Sequence, residues 1–73
     1  MTKSQIIKAY NKGFLERVAK ELLRYGTIVS DKEWYHDELG HYSGWHRVYS
    51  IVLHDITWHL YKLNGEVIEV GHF

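Results

Sequence analysis

The chain contains no cysteine, which removes disulfide frameworks and thiolate metal sites together and suits a reducing compartment. It contains no proline, no internal repeat and no low-complexity tract, so nothing marks an internal boundary and residues 1–73 read as a single domain. No apolar run approaches the length of a membrane span, and Thr2, Lys3, Ser4 and Gln5 lack the apolar core of a signal peptide. With Met1 as its only methionine, the chain is expected to be a complete, soluble, cytoplasmic polypeptide with no membrane partner. Net charge is also missing: nine bases balance nine acids. A mimic of DNA would be strongly acidic.

Charge is nevertheless unevenly placed. Residues 1–25 carry six bases against two acids, a balance of +4, and the remainder carries −4. A domain of 73 residues buries only about 60% of its unfolded surface, so its stability margin is thin. The compensation present is aromatic: 15% of residues are Phe, Trp or Tyr, and each buries a large area.

Residues 3–25 read as one amphipathic helix. Thr2 and Gln5 have capping-box spacing, and Ile7, Tyr10, Phe14, Val18, Leu22 and Tyr25 recur at steps of three or four, with Leu15 widening the stripe. On this reading Phe14 is core, and its truncation to Ala would cost about 3–5 kcal/mol. Gly26 is expected to stop the helix in the left-handed conformation. Gly13 breaks the pattern, at about 1 kcal/mol relative to Ala. The opposite face carries Lys8, Lys12, Glu16, Lys20 and Arg24. That row is either an ordinary solvated face or a patch for nucleic acid or an acidic partner; a neutral chain supplies little of the long-range field that phosphate binding uses, so nucleic acid is the less favoured partner.

Thr27-Ile28-Val29 is a short β-prone run, suited to a sheet edge. Residues 30–44 are polar and leave two readings open. Ser30 and Glu33 repeat the capping-box spacing and Gly40 would serve as a stop, which predicts a two-turn helix over 31–39; otherwise the segment is a long loop, and a long loop in a compact domain is usually functional. Trp34 and Tyr35 are then core anchors or exposed binding residues.

The C-terminal part is organised by Asn64-Gly65. Asn-Gly between two β-rich runs is the strongest short-range hairpin signal, because a type I′ turn needs positive φ at both central positions. It sets Leu63 opposite Glu66, Tyr61 opposite Ile68 and His59 opposite Val70. Residues 45–53 form the preceding strand, joined through His54-Asp55 by a two- or four-residue loop that keeps the same register. One face of this β-meander, residues 45–70, then holds Trp45, Tyr49, Ile51, Leu53, Ile56, Trp58, Leu60 and Val67, with Phe73 at its end. The other holds Val48, Val52, Tyr61, Leu63, Ile68 and Val70, interspersed with His46, Ser50, Thr57, His59 and Glu66. Both are more apolar than a half-solvated sheet needs.

Six histidines invite a metal or hydrolase reading, and their spacing resists it. His36, His41 and His46 fall five apart, as do His54 and His59, which separates rings on a helix and reverses the face on a strand. His36 and His41 with Glu33 and Asp37 gather round a cation only if the middle segment folds back. Ser30, Ser43 and Ser50 lack the Gly-x-Ser-x-Gly setting, and no glycine-rich loop follows a strand. The expectation is a protein that is not an enzyme and needs no cofactor.

A helix leading into an antiparallel meander that closes in the hairpin Leu60-Tyr-Lys-Leu-Asn-Gly-Glu-Val-Ile-Glu69 resembles small phage and prophage accessory proteins. The likeness rests on the C-terminal third. It implies a stoichiometric inhibitor of a bacterial defence protein, of the anti-CRISPR kind, working by surface complementarity in the host cytoplasm; the departure is that many such inhibitors are acidic and this chain is neutral.

The fold expected is therefore α+β: one N-terminal helix packed on a three-stranded antiparallel meander, with a fourth strand from Thr27 as an option. The function expected is a non-enzymatic binding protein that occupies a host or defence protein. One helix covers one sheet face, so the other face, with Val48, Val52, Tyr61, Leu63, Ile68 and Val70, is expected to meet that partner or a second copy as a homodimer. Nucleic-acid binding through the basic row with Trp34, Tyr35 or Trp45 as stacking platforms, and a small histidine-based metal protein, are the alternatives. At the organising turn, Gly65→Val is expected to lower the melting temperature, because a β-branched residue resists positive φ; an unchanged melt would mean no type I′ turn forms there.

Overall fold

A computed structural model describes residues 1–37 and 43–73. The order of elements is α1 (Lys3–Asn11), α2 (Leu15–Tyr25), β1 (Thr27–His36), β2 (Gly44–Leu53), β3 (Ile56–Leu63) and β4 (Glu66–His72). The four strands form one antiparallel sheet in the order β1-β2-β3-β4, with the helices on one face. This is the expected α+β meander, with the fourth strand present.

The helix is not continuous. The capping box forms as its spacing requires, with Gln5 N donating to Thr2 Oγ1 at 3.2 Å and Thr2 N donating to Gln5 Oε1 at 2.8 Å. At Gly13, however, φ is +80°, and the chain restarts as α2 after Phe14, which caps it without a side-chain hydrogen bond. A built Cβ at Gly13 would meet nothing within 4 Å, so glycine is used there for its backbone freedom and not for space. A straight helix over 3–25 would run about 34 Å in a molecule of 40 × 25 × 20 Å. The turn at Gly13 divides that length into two short helices that both bury residues in the core.

The break re-aims the apolar stripe. Ile6, Ala9, Val18, Ala19 and Leu22 are the buried helical residues, while Ile7, Tyr10 and Leu15 pack partly against them. Phe14 is 48% exposed and Tyr25 is exposed, so neither belongs to the core. From the sheet the core takes Tyr49, Ile51, Trp58, Leu60 and Val70. Trp58 is fully buried; its ring meets Tyr10 edge-on at 5.7 Å and His72 at 5.0 Å, and its Nε1 donates to the Leu53 carbonyl at 3.4 Å. Met1 is held at its α-ammonium by Glu21 at 2.9 Å and at its carbonyl by His54 Nε2 at 2.9 Å.

Gly26 ends α2 in an extended conformation, φ −79° and ψ 165°, not in the left-handed one expected. Its requirement is space: a Cβ there would sit 2.3 Å from Ile51 Cγ2 and 2.6 Å from the Leu22 carbonyl oxygen. Both tight turns are two-residue hairpins with positive φ at their centres, 55° and 62° at His54-Asp55 and 51° and 84° at Asn64-Gly65. The register between β2 and β3 is the expected one, with Leu53 opposite Ile56.

Two departures concern the outer strands. β1 is ten residues long and runs through Ser30 to His36, so over 30–36 the chain is neither the two-turn helix nor the long loop that the sequence leaves open; Leu39, Gly40 and His41 lie outside the described residues. β4 starts in the expected register, Leu63 opposite Glu66, and then slips by one at a β-bulge. Lys62 pairs with Val67 and Tyr61 with Glu69, leaving Ile68 without a partner of its own. Beyond the bulge Leu60, not His59, faces Val70. Because side chains alternate, one inserted residue sends everything after it to the opposite face; Val70 thus enters the core at 5% exposure, correcting its assignment to the open face.

These assignments separate two truncations. Leu22→Ala is expected to cost about 2–5 kcal/mol as a cavity in the core, and Phe14→Ala less than about 1 kcal/mol as a surface change. Urea denaturation of both variants checks this, and comparable losses would restore the continuous stripe.

Candidate functional site

Directly paired residues of an antiparallel sheet point to the same side. By that rule Val48, Val52, Tyr61 and Leu63 all lie on the face away from the helices, half-buried by one another and their neighbours. Ile68 stands at the bulge, between the Lys62–Val67 and Tyr61–Glu69 pairs, and is exposed. Trp34 lies opposite His46 on the same face, and the two rings stack at 5.1 Å with an interplanar angle of 8°. His46 is only 4% exposed. Its Nδ1 is hydrogen-bonded to the Tyr61 hydroxyl, and the His36 ring meets it edge-on at 5.9 Å. Trp34, His36, His46 and Tyr61 form one ring cluster across three strands.

Tyr35 points to the other side, opposite Trp45. Both rings are 54% exposed and meet edge-on at 5.3 Å. This pair is on the helix side of the sheet, where Trp45 was expected, but not beneath the helices. Toward the sheet centre the same side carries Arg47. Its guanidinium grips Asp31 twice, Nε to Oδ1 at 3.0 Å and Nη2 to Oδ2 at 2.7 Å, and reaches Glu33 at 3.4 Å. This bidentate hydrogen bond holds the Asp31 carboxyl below the usual carboxylate range.

The end of the β1–β2 arm is fixed by a side chain. β3 stops pairing with β2 at Leu63 opposite His46, and Asn64 then continues the ladder itself. Its backbone N donates to the Trp45 carbonyl at 2.7 Å, its Oδ1 accepts from Trp45 N at 2.9 Å, and its Nδ2 donates to the Ser43 carbonyl at 3.5 Å. Gly44 makes room, since a Cβ there would lie 2.3 Å from Asn64 Oδ1. The turn asparagine therefore also anchors the backbone that presents Trp45.

Strand edges are poorly suited to recruiting a further strand. The β1–β2 register shifts between Ile28 and Ser30, and β4 carries the bulge at Ile68. The middle of β1 is Asp31-Lys32-Glu33 and β4 bears Glu66 and Glu69. Bulges and charges are the usual means of blocking edge pairing.

The basic row of the helices is split by the turn at Gly13. Lys8, Lys12 and Arg17 now line an open cleft of about 320 Å³ with Phe14, and Arg17 lies over the Phe14 ring at 5.3 Å. Among the described residues no three His, Asp or Glu side chains gather as a metal site would need, and no helix is long and apolar enough to cross a membrane.

Residue types alone hid three features: the burial of His46, the ladder role of Asn64 and the placing of Lys32 and Glu69 on the open face. The first two follow from a strand through residues 30–36 and a β2 that outruns β3. In the third, Lys32 follows from the same strand, and Glu69 needs the bulge, which has no compositional mark.

A family described as "Domain of unknown function (DUF7449)" matches residues 1–73. The chain belongs to that family. No curated protein and no solved structure matches it.

Asn64→Gly is expected to keep the type I′ turn while losing two side-chain hydrogen bonds, one to Trp45 of β2 and one to Ser43 just before it, a cost of about 1–2 kcal/mol. Hydrogen exchange at the Trp45 amide should accelerate in that variant. Unchanged protection would mean that the asparagine serves the turn alone.

Proposed function

We propose that the chain is a non-enzymatic binding module that captures a partner protein with the aromatic end of its β1–β2 arm. The observation that carries this reading is the Tyr35–Trp45 pair, two large rings each half in water and in mutual contact. They stand on a backbone that Asn64 ties to the next hairpin. Tyr and Trp dominate binding hot spots because they offer broad amphipathic area at little cost in conformational entropy. A rigid support lowers that cost further.

Charge around the pair favours protein over nucleic acid. Arg47 is engaged by Asp31 and Glu33, and Asp37 follows β1, so the rings are flanked by carboxylates where a phosphate backbone would need free cations. The cations of the α1–α2 cleft belong to another element of the molecule. The class of partner comes from the likeness to phage accessory proteins: a host or defence protein in the bacterial cytoplasm, inhibited by occupation of its surface.

The test is the double variant Tyr35→Ala with Trp45→Ala, used as bait against bacterial lysate beside the wild type and a helix-surface control, Lys20→Ala. The expected result is a partner captured stoichiometrically by wild type and control and lost, by at least about tenfold, in a double variant whose circular dichroism is unchanged. Equal capture by all three baits would refute a role for the arm.

A further inference from the structure

The open face carries a charge order that runs across the strands. Register defines rows of residues pointing the same way, and one row reads Lys32, Val48, Tyr61, Glu69 from β1 to β4. A cation stands at one edge, an anion at the other, and two apolar side chains lie between. The next row, Trp34, His46, Leu63 and Glu66, also ends on a carboxylate at β4. Lys32 has no ion pair among the described residues, and Glu69 is paired only with the His59 ring, at 3.3 Å.

Such a face is complementary to itself under one operation. Consider two copies turned face to face about a two-fold axis parallel to the strands, midway between β2 and β3. That axis lays β1 of each copy over β4 of the other, so Lys32 meets Glu69 of the second copy, Val48 meets Tyr61, and both contacts occur twice. A two-fold axis across the strands at this row would instead lay β1 on β1 and set Lys32 against its own counterpart. Like charges then oppose, which disfavours that dimer. We propose that the chain forms a face-to-face homodimer about the axis parallel to the strands, with Lys32 of each copy on Glu69 of the other. This goes beyond the binding reading, which uses Tyr35 and Trp45 on the helix side of the sheet.

Geometry fits an aligned sandwich. Facing sheets pack about 10 Å apart with strand directions within about 30° of each other, a gap that Val, Leu and Tyr side chains fill and that a lysine at the rim spans. Four strands at about 4.8 Å spacing, and eight paired rows between β2 and β3, give a face of roughly 19 by 27 Å. That is small for a stable interface, so the dimer is expected to dissociate in the micromolar range and to weaken with salt.

A charge swap tests the arrangement, because within one chain Lys32 and Glu69 sit on opposite sheet edges, about 14 Å apart, too far to pair. The variants are Lys32→Glu, Glu69→Lys and both together, followed by sedimentation velocity over a concentration series up to on the order of 1 mM. Expected are a wild-type dimer, a dissociation constant raised at least about tenfold in each single variant, and recovery to within about threefold in the double variant. Losing the His59–Glu69 contact inside one chain would not be repaired by changing Lys32, so recovery reads the contact between copies. A wild type that is monomeric throughout overturns the dimer. Single variants that dimerise normally, or a folded double variant that stays monomeric, overturn this axis.

Discussion

The buried indole of Trp58 is the point at which every layer of the molecule meets. α1 reaches it through Tyr10, β4 through His72, and the β2–β3 turn through the Leu53 carbonyl that accepts its N–H. A single aromatic of this size is a large share of the core that 73 residues can assemble, and the helices are arranged to cover it. The Gly13 turn is part of that arrangement, because it lets the N-terminal segment act as a second short cover instead of a continuation of α2. Helices on one face leave the other to the sheet's own side chains. This one-sided cover is the condition for everything proposed of the open face.

How much of this was readable before the structure depended on whether a residue's local chemistry and its surroundings agreed. Asn64-Gly65 could be read because a type I′ turn demands those residue types, and the 45–53 strand because its apolar and aromatic content is locally consistent. Gly13 could be seen as a flaw but not as a break: an uninterrupted three-to-four spacing runs from Tyr10 through Phe14 to Val18, and only the structure shows the positive φ at which the helix stops. Ser30 to His36 misled through the Ser30–Glu33 spacing. That strand is an edge and largely exposed on both sides, so it carries no alternation to oppose the helical signal. On the candidate sites, Val48, Val52, Tyr61, Leu63 and Ile68 are expected on the open face and the structure leaves them at least partly accessible, whereas Val70 is buried; Trp34 and Tyr35, open on sequence between core anchors and exposed residues, are exposed.

Edges and faces are treated differently by this sheet. Both outer strands combine a register shift with charge, and a homodimer formed edge to edge about a two-fold axis at the middle of β1 would set Asp31, Lys32 or Glu33 opposite its own counterpart, since antiparallel pairing keeps each side chain on its own face. The apolar residues on the uncovered face meet no such opposition. The two proposed contacts accordingly use the face and the aromatic end of the arm, where Trp34 points one way and Tyr35 with Trp45 the other. Two adjacent residues of one strand serve opposite surfaces because the side-chain period is two.

The bulge at Ile68 couples the interior to that outer surface. Without the extra residue, β4 would keep the register started at Asn64-Gly65: Val70 would face His59 on the open side, and Glu69 would turn toward the helices. Inserting one residue reverses both at once. It brings Val70 beneath the helices, against Leu60 in the core, and moves a carboxylate into the row that begins at Lys32. A buried Val offers about 1.5–3 kcal/mol over an exposed one, and a carboxylate turned toward the helices would meet an apolar layer at a desolvation cost. Packing alone is therefore sufficient to select the bulged register. The polarity of the central row is its consequence: the cation stays on β1, and Glu69 joins that row from β4, next to Glu66, whose place is set before the bulge.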